Sequence, residues 1–294
     1  MHNYGLVFIS LACVLVTGSS VAAAKQLRQY SASIEQSVWQ LTEQTPLLCQ
    51  LEHAIPNFGN AVFQSKASKA LNLNFELKML RLPDAYSLAE VLSLPPAWRA
   101  GEPGKNLASM TLLKQFNGEL PKKTAWTLLT ELEQGFSPTF YYADWYSPYD
   151  QVAAKLNPVQ FGPGYFAFTE CVASLLPFSF EDIAFTVLSY ESGSDQLTPE
   201  SERRLGQIAE YLQHDSQIES IELQGYTDSY GGRWMNEQLS VKRAEKIKQF
   251  LAEAGVAGDK VQVDGFGERR HVASNQTSLG RATNRRVVLQ MARP

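Results

Sequence analysis

The chain has 294 residues, of which 44% are apolar and 19% charged, and its formal net charge is −4. A length above the usual ~100–200 residues of one domain favours two domains, and the composition excludes disordered and collagen-like classes. The mildly acidic balance offers no cationic field to phosphate backbones, so no nucleic-acid partner is expected.

At the N-terminus, Leu6–Val16 is an apolar run of 11 residues, LVFISLACVLV, followed by small residues ending in Val21-Ala22-Ala23-Ala24. An apolar core of that length before an Ala-x-Ala arrangement predicts a secretory signal peptide over 1–24. It falls short of the ~20 apolar residues that span a bilayer. Leu11-Ala12-Cys13 has only a faint lipoprotein character, because the apolar run continues past Cys13. Cleavage after Ala24 leaves two cysteines, Cys49 and Cys171. In an exported chain, two cysteines predict one disulfide; a pair of buried thiols is the alternative.

From Lys25 to about Leu176 the pattern is aromatic and strand-like. Leu71, Leu73, Phe75, Leu77 and Met79 alternate with polar residues, the period of a strand with one dry face. Trp39/Leu41, Phe140–Trp145 and Tyr165–Phe168 are further strand candidates. A helix is predicted over Thr124–Glu133, with Leu128, Leu129 and Leu132 on one face and Gly135 past its end. Frequent Pro and Gly punctuation between short strands predicts a mainly antiparallel β domain over 25–176. From about Pro177 strands and helices alternate. Ile183–Tyr190 is a strand candidate. Thr198-Pro199 supplies an N-cap and a first-turn proline, and Leu205, Ile208, Ala209 and Leu212 form one helical stripe. Strands at Ile218–Gln224, Val261–Val263 and Arg285–Met291, with a helix over Trp234–Ala254, complete a βαβαβ-type α/β layer over 177–294. The predicted class is therefore α+β in two domains.

No catalytic or metal constellation emerges. His2, His53, His214 and His271 lack ligand spacing, and no Gly-x-Ser-x-Gly turn or phosphate-binding loop occurs; no cofactor, metal or catalytic residue is expected.

Four segments stand in order: Gly225-Tyr226-Thr227-Asp228, Asn236 to Ala244 (NEQLSVKRA), Gly265-Phe266-Gly267-Glu268, and Gly280 to Val287 (GRATNRRV). Together they resemble the OmpA-like peptidoglycan-binding family, in which many members carry histidine at the position of Tyr226. That departure is expected to alter the edge of the site. On a helix Asn236, Ser240 and Arg243 share a face, with Asp228 in the turn before it. The resemblance assigns Asp228 to the ammonium and Arg243 to the carboxylate of diaminopimelate in the stem peptide, with Thr227, Asn236 and Leu239 as walls. A guanidinium is the side chain suited to a carboxylate fork. Arg243 is expected to be exposed, so that its removal leaves the fold intact; as plain surface features, Asp228 would cap the helix or its turn and Arg243 would pair with Glu237 or Glu245. Arg281, Arg285 and Arg286 either form a positive rim or pair structurally, and Arg286 is taken into the candidate site. Gly225, Gly265 and Gly267 are expected to serve turn geometry.

The whole chain also resembles the MotY family of flagellar sodium-motor proteins, through the signal, the two-cysteine β domain, and segments such as Arg28-Gln29-Tyr30, Ser37-Val38-Trp39 and Cys49-Gln50-Leu51. That resemblance implies a periplasmic structural adaptor at the flagellar basal body. Its N-terminal domain would contact the basal body and a MotX-like partner, and its C-terminal domain would anchor a ring to peptidoglycan and help stators assemble. The competing reading is a wall-remodelling enzyme, or a generic OmpA-like envelope protein, targeted to the wall by residues 177–294.

Overall fold

The computed structural model describes residues 26–99, 101–147 and 149–294; the expected signal peptide lies outside the described residues. The first part is a pair of packed five-stranded sheets. One has the order β1 (Leu27–Tyr30), β10 (Gln151–Lys155), β9 (Ser137–Ala143), β6 (Ser87–Leu94), β7 (Lys105–Leu112). The other runs β2 (Trp39–Gln44), β3 (Leu48–Ile55), β4 (Gly59–Lys66), β5 (Asn74–Met79), β8 (Gly118–Leu120). Neighbours are antiparallel except β1, which lies parallel to β10. The predicted alternation is realised in β5, where Phe75, Leu77 and Met79 are buried, although the strand begins at Asn74 and not at Leu71. Phe75 stacks on Phe140 of β9 with ring centroids 5.3 Å apart, joining the two sheets.

Two helices close this core. Helix α1 (Lys122–Glu133) buries Leu128, Leu129 and Leu132 and ends before Gly135, whose φ of 84° is the left-handed conformation that glycine adopts without a Cβ penalty. Helix α2 (Phe161–Ala173) corrects the expectation of a strand over Tyr165–Phe168. Its Gly164 sits so close to β2 that a Cβ there would lie 2.6 Å from the Trp39 carbonyl oxygen. Phe161 meets the Trp39 ring edge-on, and Cys171 is bonded to Cys49 of β3 with Cα atoms 6.0 Å apart. His53 stacks on the Trp39 ring at 4.4 Å, and burial lowers its pKa, so the imidazole is a neutral core group.

After the short helix α3 (Phe180–Ile183) the second part alternates β11 (Phe185–Ser189), α4 (Pro199–His214), β12 (Ser220–Tyr226), α5 (Arg233–Glu253), β13 (Val261–Gly265), α6 (Ser278–Asn284) and β14 (Arg286–Ala292). The sheet order is β11-β14-β12-β13, with only β12 and β13 parallel. Thr198 caps α4 by accepting from the Ser201 N–H at 3.3 Å. The buried side chains form a second core, including Leu188, Leu205, Ile208, Leu223, Ile247 and Leu289. Leu47 and Ala67 of the first part pack against it. The Leu176 N–H donates to the Pro46 carbonyl at 2.9 Å, and Lys69 pairs with Asp182 across the junction. Among the described residues no helix is long and apolar enough to cross a membrane.

Candidate functional site

The site forms where β12 hands over to α5. Gly225, next to last in β12, and Gly265, last in β13, lie opposite each other on adjacent strands beneath α5. A Cβ on Gly225 would lie 2.1 Å from the Ser240 carbonyl oxygen, and one on Gly265 would lie 2.4 Å from Val241 Cγ2. Close approach therefore explains these two glycines, correcting the expectation of turn geometry; Gly267 alone of the three has positive φ, at 55°. Ser240 Oγ accepts from the Gly267 N–H at 3.0 Å, tying the helix to the loop after β13. The inward face of α5 begins polar, with Asn236, Ser240 and Arg243 all buried, and becomes apolar at Ala244, Ile247 and Leu251.

Above that polar half lies a cavity of about 290 Å³, lined by Ser192, Gly193, Thr227, Asp228, Tyr230, Asn236, Leu239, Arg243, Arg281 and Arg285. Five of the six expected residues line it. Arg286 does not: it stacks on the Tyr226 ring at 3.9 Å and donates to the Arg270 carbonyl, while Arg285 enters the cavity in its place. Tyr226 is buried, stacked on Phe266, and donates its hydroxyl to Gln224 Oε1 at 2.8 Å. It supports the turn from beneath and does not form the cavity edge expected of it.

Asp228 does not meet Arg243 directly. Its Oδ2 accepts from Arg285 Nη1 at 3.0 Å, and its Oδ1 accepts from the Tyr230 N–H at 3.0 Å, closing the turn before α5. Arg243 is only 1% exposed, which overturns the expectation of a surface residue. Its Nη1 donates to the Tyr226 carbonyl at 3.4 Å and its Nη2 to the Ser194 carbonyl, while Tyr190 lies 4.6 Å beneath the guanidinium. It pairs with neither Glu237, which binds Arg269, nor Glu245. Burial pushes the Arg243 guanidinium below its ordinary pKa and Arg285 adds to this, against the carboxylates of Asp228 and Asp195. Arg243 Nε and Thr227 Oγ1 are buried with no hydrogen-bond partner in the protein. Buried polar atoms are rarely left so, and both belong to residues that line the cavity.

Asn284 does not line the cavity but braces the segment 272–275 after β13. Its Oδ1 accepts from the Val272 and Ala273 N–H groups, and its Nδ2 donates to Asn275 Oδ1 at 2.8 Å. Arg281 is held by the Asn275 carbonyl at 2.9 Å. Three guanidinium groups, of Arg243, Arg281 and Arg285, thus share the cavity with one carboxylate, Asp228. That surplus of positive charge suits an anionic or zwitterionic ligand. Sequence patterns alone do not point to the walls formed by Ser192, Gly193 and Tyr230. The first two come from a loop distant in the chain, whereas Tyr230, two residues after Asp228, is signalled only by proximity.

Residues 189–285 match the OmpA family, which places the site-bearing part in that class. Residues 30–177 match the MotY N-terminal domain. Over 266 residues the chain is 45% identical to the sodium-type flagellar protein MotY of Vibrio parahaemolyticus, with 90% of this chain and 91% of that one covered. The chain belongs to the MotY family. Its C-terminal part is 43% identical over 67 residues to the peptidoglycan-binding protein ArfA of Mycobacterium tuberculosis, covering 23% of this chain and 21% of that one. It is also similar to the solved peptidoglycan-associated lipoprotein of Burkholderia pseudomallei, with 28% identity, a TM-score of 0.34, and coverage of 36% of this chain and 89% of that one.

Proposed function

We propose that this protein is a periplasmic, non-enzymatic adaptor of the sodium-driven flagellar motor that grips peptidoglycan through the cavity at the start of α5. In this reading residues 177–294 hold the wall, while 25–176 hold the motor side, including the basal body and a MotX-like partner. The observation that carries it is the charge arrangement of the cavity: three guanidinium groups, one carboxylate, and two buried polar atoms without protein partners. A diaminopimelate end carries an ammonium and a carboxylate on one carbon. Its ammonium would take Asp228 from Arg285, and the released Arg285 would join Arg243 Nε around the ligand carboxylate. Arg281 sits at the rim for a second carboxylate. Each exchange replaces one charged hydrogen bond with another, so the ligand enters without stranding a buried charge.

The test is co-sedimentation with purified sacculi. Asp228→Asn and Arg285→Ala should each lose one charge-assisted hydrogen bond, about 1.5–3 kcal/mol, or one to two orders of magnitude in affinity. Circular dichroism of both variants should match the parent. Undiminished sedimentation of a folded double variant would show that the wall is held elsewhere.

A further inference from the structure

The loop between β11 and α4 is locked at its base and at its tip. At the base, Tyr190 and Leu197 form a bridge, and the Glu191 N–H donates to the Gln196 carbonyl at 3.0 Å. Gly193 turns the tip with φ of 64°, and Ser192 and Gly193 form one wall of the cavity. The next two residues face α5. The Ser194 carbonyl accepts from Arg243 Nη2, and Asp195 Oδ2 accepts from Lys242 at 2.9 Å and from Lys246 at 2.6 Å.

Lys242 and Lys246 are one helical turn apart, a like-charge spacing that destabilises a helix unless an anion stands between the two. Asp195 supplies that anion. The two ammonium groups hold its carboxyl well below the usual carboxylate range, Lys246 contributing most. Arg243, whose side chain has few other partners, depends on Ser194 for one of its acceptors. Releasing the loop would leave the buried guanidinium one carbonyl acceptor, that of Tyr226, and the Tyr190 ring beneath it.

We propose that Asp195 is a positioning residue for the ligand cavity: by bridging Lys242 and Lys246 it clasps the Glu191–Leu197 loop onto α5, which aims Arg243 and closes the cavity wall. The proposal rests on the wall-binding reading only for its consequence, since the aim of Arg243 is a property of the free protein. The clasp acts through charge, so it survives an exchange of signs. Asp195→Lys opposes three like charges and opens the loop. Lys242→Glu/Lys246→Glu, combined with Asp195→Lys, restores attraction with the signs inverted.

Two measurements on the mature chain test this. The first is solvent exchange of the Arg243 Nη–H groups, which carry the bond to Ser194, read by NMR without ligand. These groups should be protected from solvent exchange in the parent, lose that protection at least tenfold in Asp195→Lys, and regain it in the triple variant. The second is co-sedimentation with sacculi, where Asp195→Lys should weaken binding by roughly tenfold and the triple variant should recover most of it. Unchanged Arg243 protection in Asp195→Lys, or no recovery in the triple variant, overturns the clasp. A parent protein that fails to sediment with sacculi overturns the wall-binding reading instead, and the NMR result still decides the clasp.

Discussion

Arg243 is a guanidinium placed where bulk water hardly reaches it, held by two backbone carbonyls and an aromatic face. Arg243→Ala therefore removes more than a ligand contact: it leaves the Tyr226 and Ser194 carbonyls without that donor and abandons the contact with Tyr190. We expect a loss of about 1–3 kcal/mol in the stability of the C-terminal part, read as a lower urea midpoint. A midpoint shift below ~0.5 kcal/mol, the range of an ordinary surface substitution, would show that the site tolerates its absence. Consequently Asp228 and Arg285 are cleaner probes of binding. The spacing of Asn236, Ser240 and Arg243 is enough to put them on one face, because helical periodicity is local. That this face is buried is not legible in the sequence, since charged side chains on a helix are usually solvated. Arg285 and Arg286 show the same limit. At the entry to a strand successive residues point to opposite faces, so Asn284-Arg285-Arg286 cannot reveal which arginine faces the cavity until the register of β14 is known.

Among the elements, α5 is seated by absence of side chain. Gly225→Ala would put a methyl group 2.1 Å from the Ser240 carbonyl oxygen, so the helix or β12 must shift. The expected loss exceeds about 2 kcal/mol, seen as a lower melting temperature and as weaker wall binding, because Asp228 and Arg243 ride on the displaced pieces. Gly206→Ala in α4 is the control. Nothing lies within 4 Å of its added Cβ, so helix propensity should raise stability by up to ~1 kcal/mol. Equal melting of the two variants would refute the close-packing account. Elements with strong local signals, such as the alternation in β5 and the Thr198-Pro199 start of α4, are legible in the sequence itself. Tyr165–Phe168 is not, because its aromatics carry strand propensity while Gly162, Pro163 and Gly164 occupy the first turn of α2. Tertiary packing decides there: Gly164 admits the Trp39 backbone, and Phe161 and Phe168 fill the core.

At the scale of the molecule, the Cys49–Cys171 bond closes a span of 122 positions around the first core. In the chain-entropy view such a span contributes ~4–5 kcal/mol by restricting the unfolded chain. Replacing both cysteines by alanine should lower the unfolding midpoint of the N-terminal part by a corresponding amount. The C-terminal transition should stay nearly unchanged, because the two cores are built from almost separate sets of side chains. A variant whose N-terminal midpoint matches the parent would show that packing alone fixes α2. The pairing is legible from the two cysteines that follow the expected signal segment; the partnership of β1 with β10 is not, because a parallel pairing between the two ends of a domain leaves no local trace.

The same bond has a mechanical meaning. The chain leaves the first part through α2 and enters the second near α3, so tension between the two parts runs along residues 172–184. Pulled from that end, a helix on a sheet surface would peel away turn by turn, the weakest way to load a packed element. Cys171 stands near the end of α2, two residues from its last, and its sulfur carries the load to β3, an interior strand hydrogen-bonded on both sides. Force is thereby transferred into a strand where many hydrogen bonds share it at once, and the sandwich is pulled as a block instead of being unwound from its edge.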